Sequence, residues 1–69
     1  MRLSTRNQLK GTVAEVEVGA VMTIVKVDIG GGQTVTAAIT RDGAEELDLQ
    51  VGQPVVALVK ATEVMLGVE

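Results

Sequence analysis

The chain has 69 residues, 46% of them hydrophobic, with a formal charge of −3 and no cysteine, histidine or aromatic residue. That length allows one domain, residues 1–69. The missing residue types exclude disulfides and the usual zinc, haem and iron–sulfur ligand sets.

In chain order, Met1-Arg2-Leu3 leads straight into polar Ser4-Thr5-Arg6-Asn7-Gln8, which is no signal peptide. The apolar runs are too short and too often interrupted by charge to span a membrane, so a cytoplasmic address is expected. From Leu9 to Val18 the apolar positions alternate in one phase up to Val13 and in the other from Val16. A phase change with Gly11 inside the run predicts a bulged or strongly bent strand. Gly19-Ala20 marks a turn. Val21, Thr23, Val25, Val27 and Ile29 then form one face of a second strand, with Lys26 and Asp28 opposite. Gly30-Gly31-Gly32 predicts a hairpin into a third strand carrying Val35, Ala37 and Ile39. Asp42, with Glu45 three residues later, has the form of a capping box opening a short helical turn. Val51-Gly52-Gln53-Pro54 is a turn, Val55 to Ala61 a near-continuous apolar strand, and Thr62 to Val68 a fifth strand. Five short strands with one helical turn between the third and fourth fit a small closed all-β barrel of the OB-like kind.

Such a chain is marginal alone, and scaffolds without disulfides or metals rely on oligomerisation. Its aliphatic surface is suited to packing against copies of itself.

Catalysis has little to work with. Without His or Cys, a nucleophile–base pair would need Ser, Thr, Lys or carboxylates, and Glu45, Glu46 and Asp48 read as a solvated helical face. Asp28 and its following glycines lack the spaced oxygens of a calcium loop. No Lys-Ser/Thr or helix follows them, as a phosphate-binding loop would require. A nucleic-acid-binding barrel normally offers aromatic platforms, and this chain has none.

Two segments offer little to a core. Ser4-Thr5-Arg6-Asn7-Gln8-Leu9-Lys10 packs hydroxyls, amides and cations together at the basic end of the chain: Arg2, Arg6 and Lys10 precede all nine acids. Lys60-Ala61-Thr62 sets a charge and a hydroxyl between two apolar strands. Hydroxyls, amides and backbone N–H groups with one or two cations are what a bound oxyanion needs. An ordinary solvated terminus and a snorkelling strand-end lysine are the plain alternatives.

Ser4-Thr5-Arg6-Asn7-Gln8-Leu9-Lys10-Gly11, the Gly19-Ala20-Val21 turn, Asp28-Ile29-Gly30-Gly31-Gly32, Ile39-Thr40 and Val59-Lys60-Ala61-Thr62 together resemble the molbindin (Mop domain) family from end to end. The resemblance implies a single Mop domain that binds molybdate or tungstate in the bacterial cytoplasm. It further implies a homo-oligomer, a hexamer, with the oxyanions at subunit interfaces. Carried over, the contacts fall on Ser4, Thr5, Arg6 and Asn7 of one subunit. Lys60, Ala61 and Thr62 join across an interface. Thr40 and Gly43 are further donors, and Gly19 and Ala20 contribute backbone N–H groups to a second kind of site. Position 5 is commonly smaller in the family, and where some relatives have a serine this chain has Gly43.

The expectation is therefore a non-enzymatic binding protein for molybdenum storage and homeostasis. Its ligand is molybdate or tungstate, with no organic cofactor, no cation ligands, no nucleic acid and no membrane. Molybdate is a dianion whose four oxygens only accept hydrogen bonds, so a cavity lined with donors suits it. Two other readings are a lipoyl- or biotinyl-type carrier modified at Lys60 and a nucleic-acid-binding OB-like module. An oligomer with an empty interface is a third.

Overall fold

The structure is a computed structural model that describes residues 2–69. Four strands and two short helical segments follow one another: β1 (Asn7–Val18), β2 (Met22–Gly30), β3 (Gln33–Thr40), α1 (Arg41–Glu46), β4 (Pro54–Val59) and a 3-10 turn (Ala61–Glu63). The strands form one antiparallel sheet in the order β3-β2-β1-β4.

β1, the longest strand, divides its length between two partners. Asn7 to Thr12 pair with β4, and Thr12 to Val18 pair with β2. The register slips between Val13 and Glu15, which puts the bulge at Ala14 and accounts for the change of phase read in the sequence. Gly11 has a different role. A Cβ there would lie 2.5 Å from the Asp28 carbonyl oxygen and 2.7 Å from Val27 Cγ1, so only glycine lets β1 pass this close to β2.

The expected alternation in β2 is realised from Thr23 onward, whereas Val21 lies before the strand and is 73% exposed. Thr23, Val25 and Val27 are buried, while Lys26 and Asp28 are exposed. Val13, Val25 and Val27 form the core, with Val16, Ile29, Ile39, Leu49 and Val55 packed against it. The glycine run makes the β2–β3 hairpin. Gly31 and Gly32 sit at φ +62° and +76°, as a two-residue turn between right-twisted strands requires.

Three expectations need correction. Helix α1 starts two residues earlier than an Asp42 cap would give. Arg41 N–H donates to the Val21 carbonyl at 2.8 Å, which turns the chain there, and the cap is Thr40, whose Oγ1 accepts from Gly43 N–H at 3.0 Å. The fourth strand ends at Val59, before Lys60. The fifth strand is not formed: the 3-10 turn takes residues Ala61–Glu63, and Met65, Leu66 and Val68 are 92%, 93% and 98% exposed. The all-β class with one short helix holds, but the chain makes four strands and its sheet stays open between β3 and β4. Among the described residues no helix is long and apolar enough to cross a membrane.

Candidate functional site

Asn7 and Val59 face each other as the outermost register pair of β1 and β4. Asn7 Nδ2 donates to the Val59 carbonyl at 3.0 Å and closes a contact 52 residues apart in sequence. From this pair the chain diverges in two directions, back through Arg6, Thr5 and Ser4 and forward through Lys60, Ala61 and Thr62. These six residues line one cleft of about 330 Å³. The two polar segments thus meet within one chain. The expected crossing of a subunit interface is therefore not needed to bring Lys60, Ala61 and Thr62 to Ser4, Thr5 and Arg6.

The lining carries two cations, Arg6 and Lys60, three hydroxyls, and no carboxylate. The ion pairs among the described residues are Lys26–Glu15 at 3.6 Å and Arg41–Glu45 at 3.1 Å, and neither involves a cleft cation. Arg6 and Lys60 therefore offer their charge to whatever enters. Asn7, expected as a contact, is not among the lining residues, and one of its amide N–H groups is committed to the Val59 carbonyl.

Gly19, Ala20, Thr40 and Gly43 are gathered elsewhere. Gly19 and Ala20 follow the far end of β1, and Thr40 pairs with Met22 just beyond them. Gly19 N–H donates to the Met22 carbonyl at 2.8 Å and Gly43 N–H to Thr40 Oγ1 at 3.0 Å, so both glycine donors are engaged inside the chain. The Thr40 hydroxyl, accepting from Gly43, keeps its own proton to donate. Lys60 also ends the carrier reading, because a modified lysine belongs at a hairpin tip. Here it caps a 3-10 turn at the edge of the cleft instead.

Residues 3–66 match the TOBE domain model. The chain belongs to the TOBE domain family. Within the family its relatives are of the Mop type. It is 48% identical over 69 residues to a probable molybdenum-pterin-binding protein of Haemophilus influenzae, with all of both chains covered. In some longer relatives this TOBE domain accounts for only 24% or 25% of the length. Among solved structures it superposes on MopII of Clostridium pasteurianum with a TM-score of 0.91 at 40% identity, covering 97% of this chain and 100% of that one. It likewise matches the cytoplasmic molybdate-binding protein ModG, solved with molybdate bound, with a TM-score of 0.93 at 42% identity. That match covers 100% of this chain and 49% of ModG. The curled antiparallel sheet with one short helix is thus the OB-like fold of this family.

The sequence reading of this TOBE domain passed over Gln8, whose Nε2 donates to the Thr5 carbonyl at 2.9 Å and pins one wall of the cleft. A polar residue three positions after Thr5, on the outward face of a strand, was the available signal.

Proposed function

We propose that this chain binds molybdate, with tungstate as an equivalent ligand, in the cleft of Ser4, Thr5, Arg6, Lys60, Ala61 and Thr62. We further propose that it does so as a cytoplasmic homo-oligomer that stores the oxyanion and catalyses no reaction. The observation that carries this reading is the meeting of the two polar segments in one cleft with two unpaired cations and no acid. Hydroxyl, ammonium and guanidinium groups supply donors to an anion that accepts, and charge-assisted bonds of this kind are the strong ones. The names of the relatives, which pair molybdenum with a pterin or state molybdate directly, support the same ligand class.

Self-association is supported by the chain's own surface. The open sheet leaves β3 and β4 as edges, and unpaired edges invite pairing with another chain. Inward-facing Val35, Ala37, Val55 and Ala57 are only half-buried. Meanwhile the apolar Met65, Leu66 and Val68 of the segment after the 3-10 turn stay almost fully exposed. A second copy's segment laid across β3 and β4 would complete both. Thr40 and Gly43 lie at the opposite end of the sheet from the cleft, so they join an oxyanion there only from a neighbouring subunit, and a hexamer is the assembly proposed.

Titration calorimetry tests the ligand. Molybdate is expected to bind the oligomer with clear preference over phosphate at neutral pH and to raise its thermal midpoint, because it binds only the native form. Equal affinity for the two anions would overturn the reading.

A further inference from the structure

We propose that Gln8 is a positioning residue for the oxyanion: its side chain holds the arm of residues 4–6 in shape before any ligand arrives. The inference rests on the oxyanion reading above and deepens it. This arm supplies Ser4, Thr5 and Arg6 to the cleft, hence two of its three hydroxyls and one of its two cations. How firmly the arm is held therefore bears directly on how tightly an anion binds.

The two arms of the cleft are held by unequal means. The arm of residues 60–62 leaves β4 and folds into the 3-10 turn, with Glu63 N–H donating to the Lys60 carbonyl at 2.9 Å and Val64 N–H to the Ala61 carbonyl at 3.4 Å. The arm of residues 4–6 has no such support. Ladder pairing of β1 begins only at Asn7. Among the described residues, the one hydrogen bond made to the arm is from Gln8 Nε2 to the Thr5 carbonyl, at 2.9 Å. Gln8 is exposed and lies outside the core cluster, so packing does not account for a side chain turned back by three residues. The ring that this bond closes contains Arg6 and Asn7, and Asn7 is itself tied to Val59 on β4 at 3.0 Å. One arm is thereby fixed to the strand end from which the other departs. Gln8 need not touch the anion, because it acts through the backbone of Thr5 and Arg6. An arm left loose must be ordered when the anion binds, and that ordering subtracts from affinity. An arm ordered in advance binds more tightly with no added contact.

Gln8→Met keeps the reach of the side chain and removes its donor. Calorimetry with molybdate on the whole chain, for Gln8→Met alone and combined with Arg6→Ala or Lys60→Ala, separates positioning from a general structural role. Gln8→Met is expected to weaken molybdate binding roughly three- to tenfold, the worth of one hydrogen bond, while the thermal midpoint of the ligand-free protein stays unchanged. In the Arg6→Ala background, where the arm has lost its cation, the loss should shrink to under about twofold. It should persist in full with Lys60→Ala, which alters the other arm. Unchanged affinity, a lowered midpoint without ligand, or equal losses in both backgrounds would overturn the inference and leave the oxyanion reading intact. A parent protein that binds no molybdate would instead overturn the oxyanion reading, and this inference with it.

Discussion

Arg6 and Lys60 are the residues on which the binding account depends. Both line the cleft, and neither has an acidic partner among the described residues. Removing either leaves a bound dianion short of one counter-charge. Arg6→Ala and Lys60→Ala are each expected to weaken molybdate binding by at least about tenfold, or ~1.4 kcal/mol. Stability without ligand should be unchanged or slightly higher, because two like charges no longer share one opening. Lys26→Ala is the control, since Lys26 pairs with Glu15 on the outer face of β2; calorimetry on the three variants would separate the cases. Thr23 makes a second residue-scale test. It is 0% exposed, and its Oγ1 has no hydrogen-bond partner, although burying an unmade bond costs about 1–3 kcal/mol. Thr23→Val keeps the shape and removes the orphan hydroxyl, so the thermal midpoint should rise. A fall would mean that the assembled protein supplies Thr23 with a partner. The donors of the cleft were legible in the sequence because hydroxyls, amides and cations crowd where no core is built. The second duty of Asn7 was not legible, because only the β1–β4 register shows that its amide meets Val59.

At the scale of elements, β1 couples core to cleft: its first half carries Asn7 and Gln8, and its second half carries Val13 and Val16. Gly11 lies between them, where a Cβ would strike the Asp28 backbone and the Val27 side chain of β2. Gly11→Ala puts a methyl group against the Asp28 backbone, which has no room to yield, and overpacking of this kind typically costs about 1–3 kcal/mol. The thermal midpoint should drop accordingly, and molybdate affinity should drop with it if the strand's displacement reaches Asn7. The two faces of β2 and the bulge in β1 were readable because period-two alternation reports a half-buried strand directly. The start of α1 was misread because Thr40 and Asp42 are both good N-cap residues, and Glu45 pointed to Asp42. A tertiary bond, Arg41 N–H to the Val21 carbonyl, decided for Thr40. Glu45 is used instead by Arg41, four residues before it.

At the scale of the whole molecule, the fifth strand shows where a single-chain reading stops. Val64, Leu66 and Val68 alternate as a strand should, but a strand needs an edge to pair with, and this chain does not lay the segment on its own sheet. Burying side chains such as Met65, Leu66 and Val68 would be worth roughly 1.5–3 kcal/mol each. The pair of substitutions Leu66→Ser and Val68→Ser should therefore shift the assembly toward smaller species in light scattering at micromolar concentration. Unchanged mass would mean that the segment takes no part in association. The central claim is that one chain's cleft, built from Ser4, Thr5, Arg6, Lys60, Ala61 and Thr62, holds the oxyanion. The most direct measurement is an anomalous difference map at the molybdenum edge from crystals grown with molybdate. The account predicts a molybdenum peak inside that cleft, within hydrogen-bonding reach of Arg6 and Lys60. A peak elsewhere on the protein with the cleft vacant, or no peak at saturating molybdate, would contradict it.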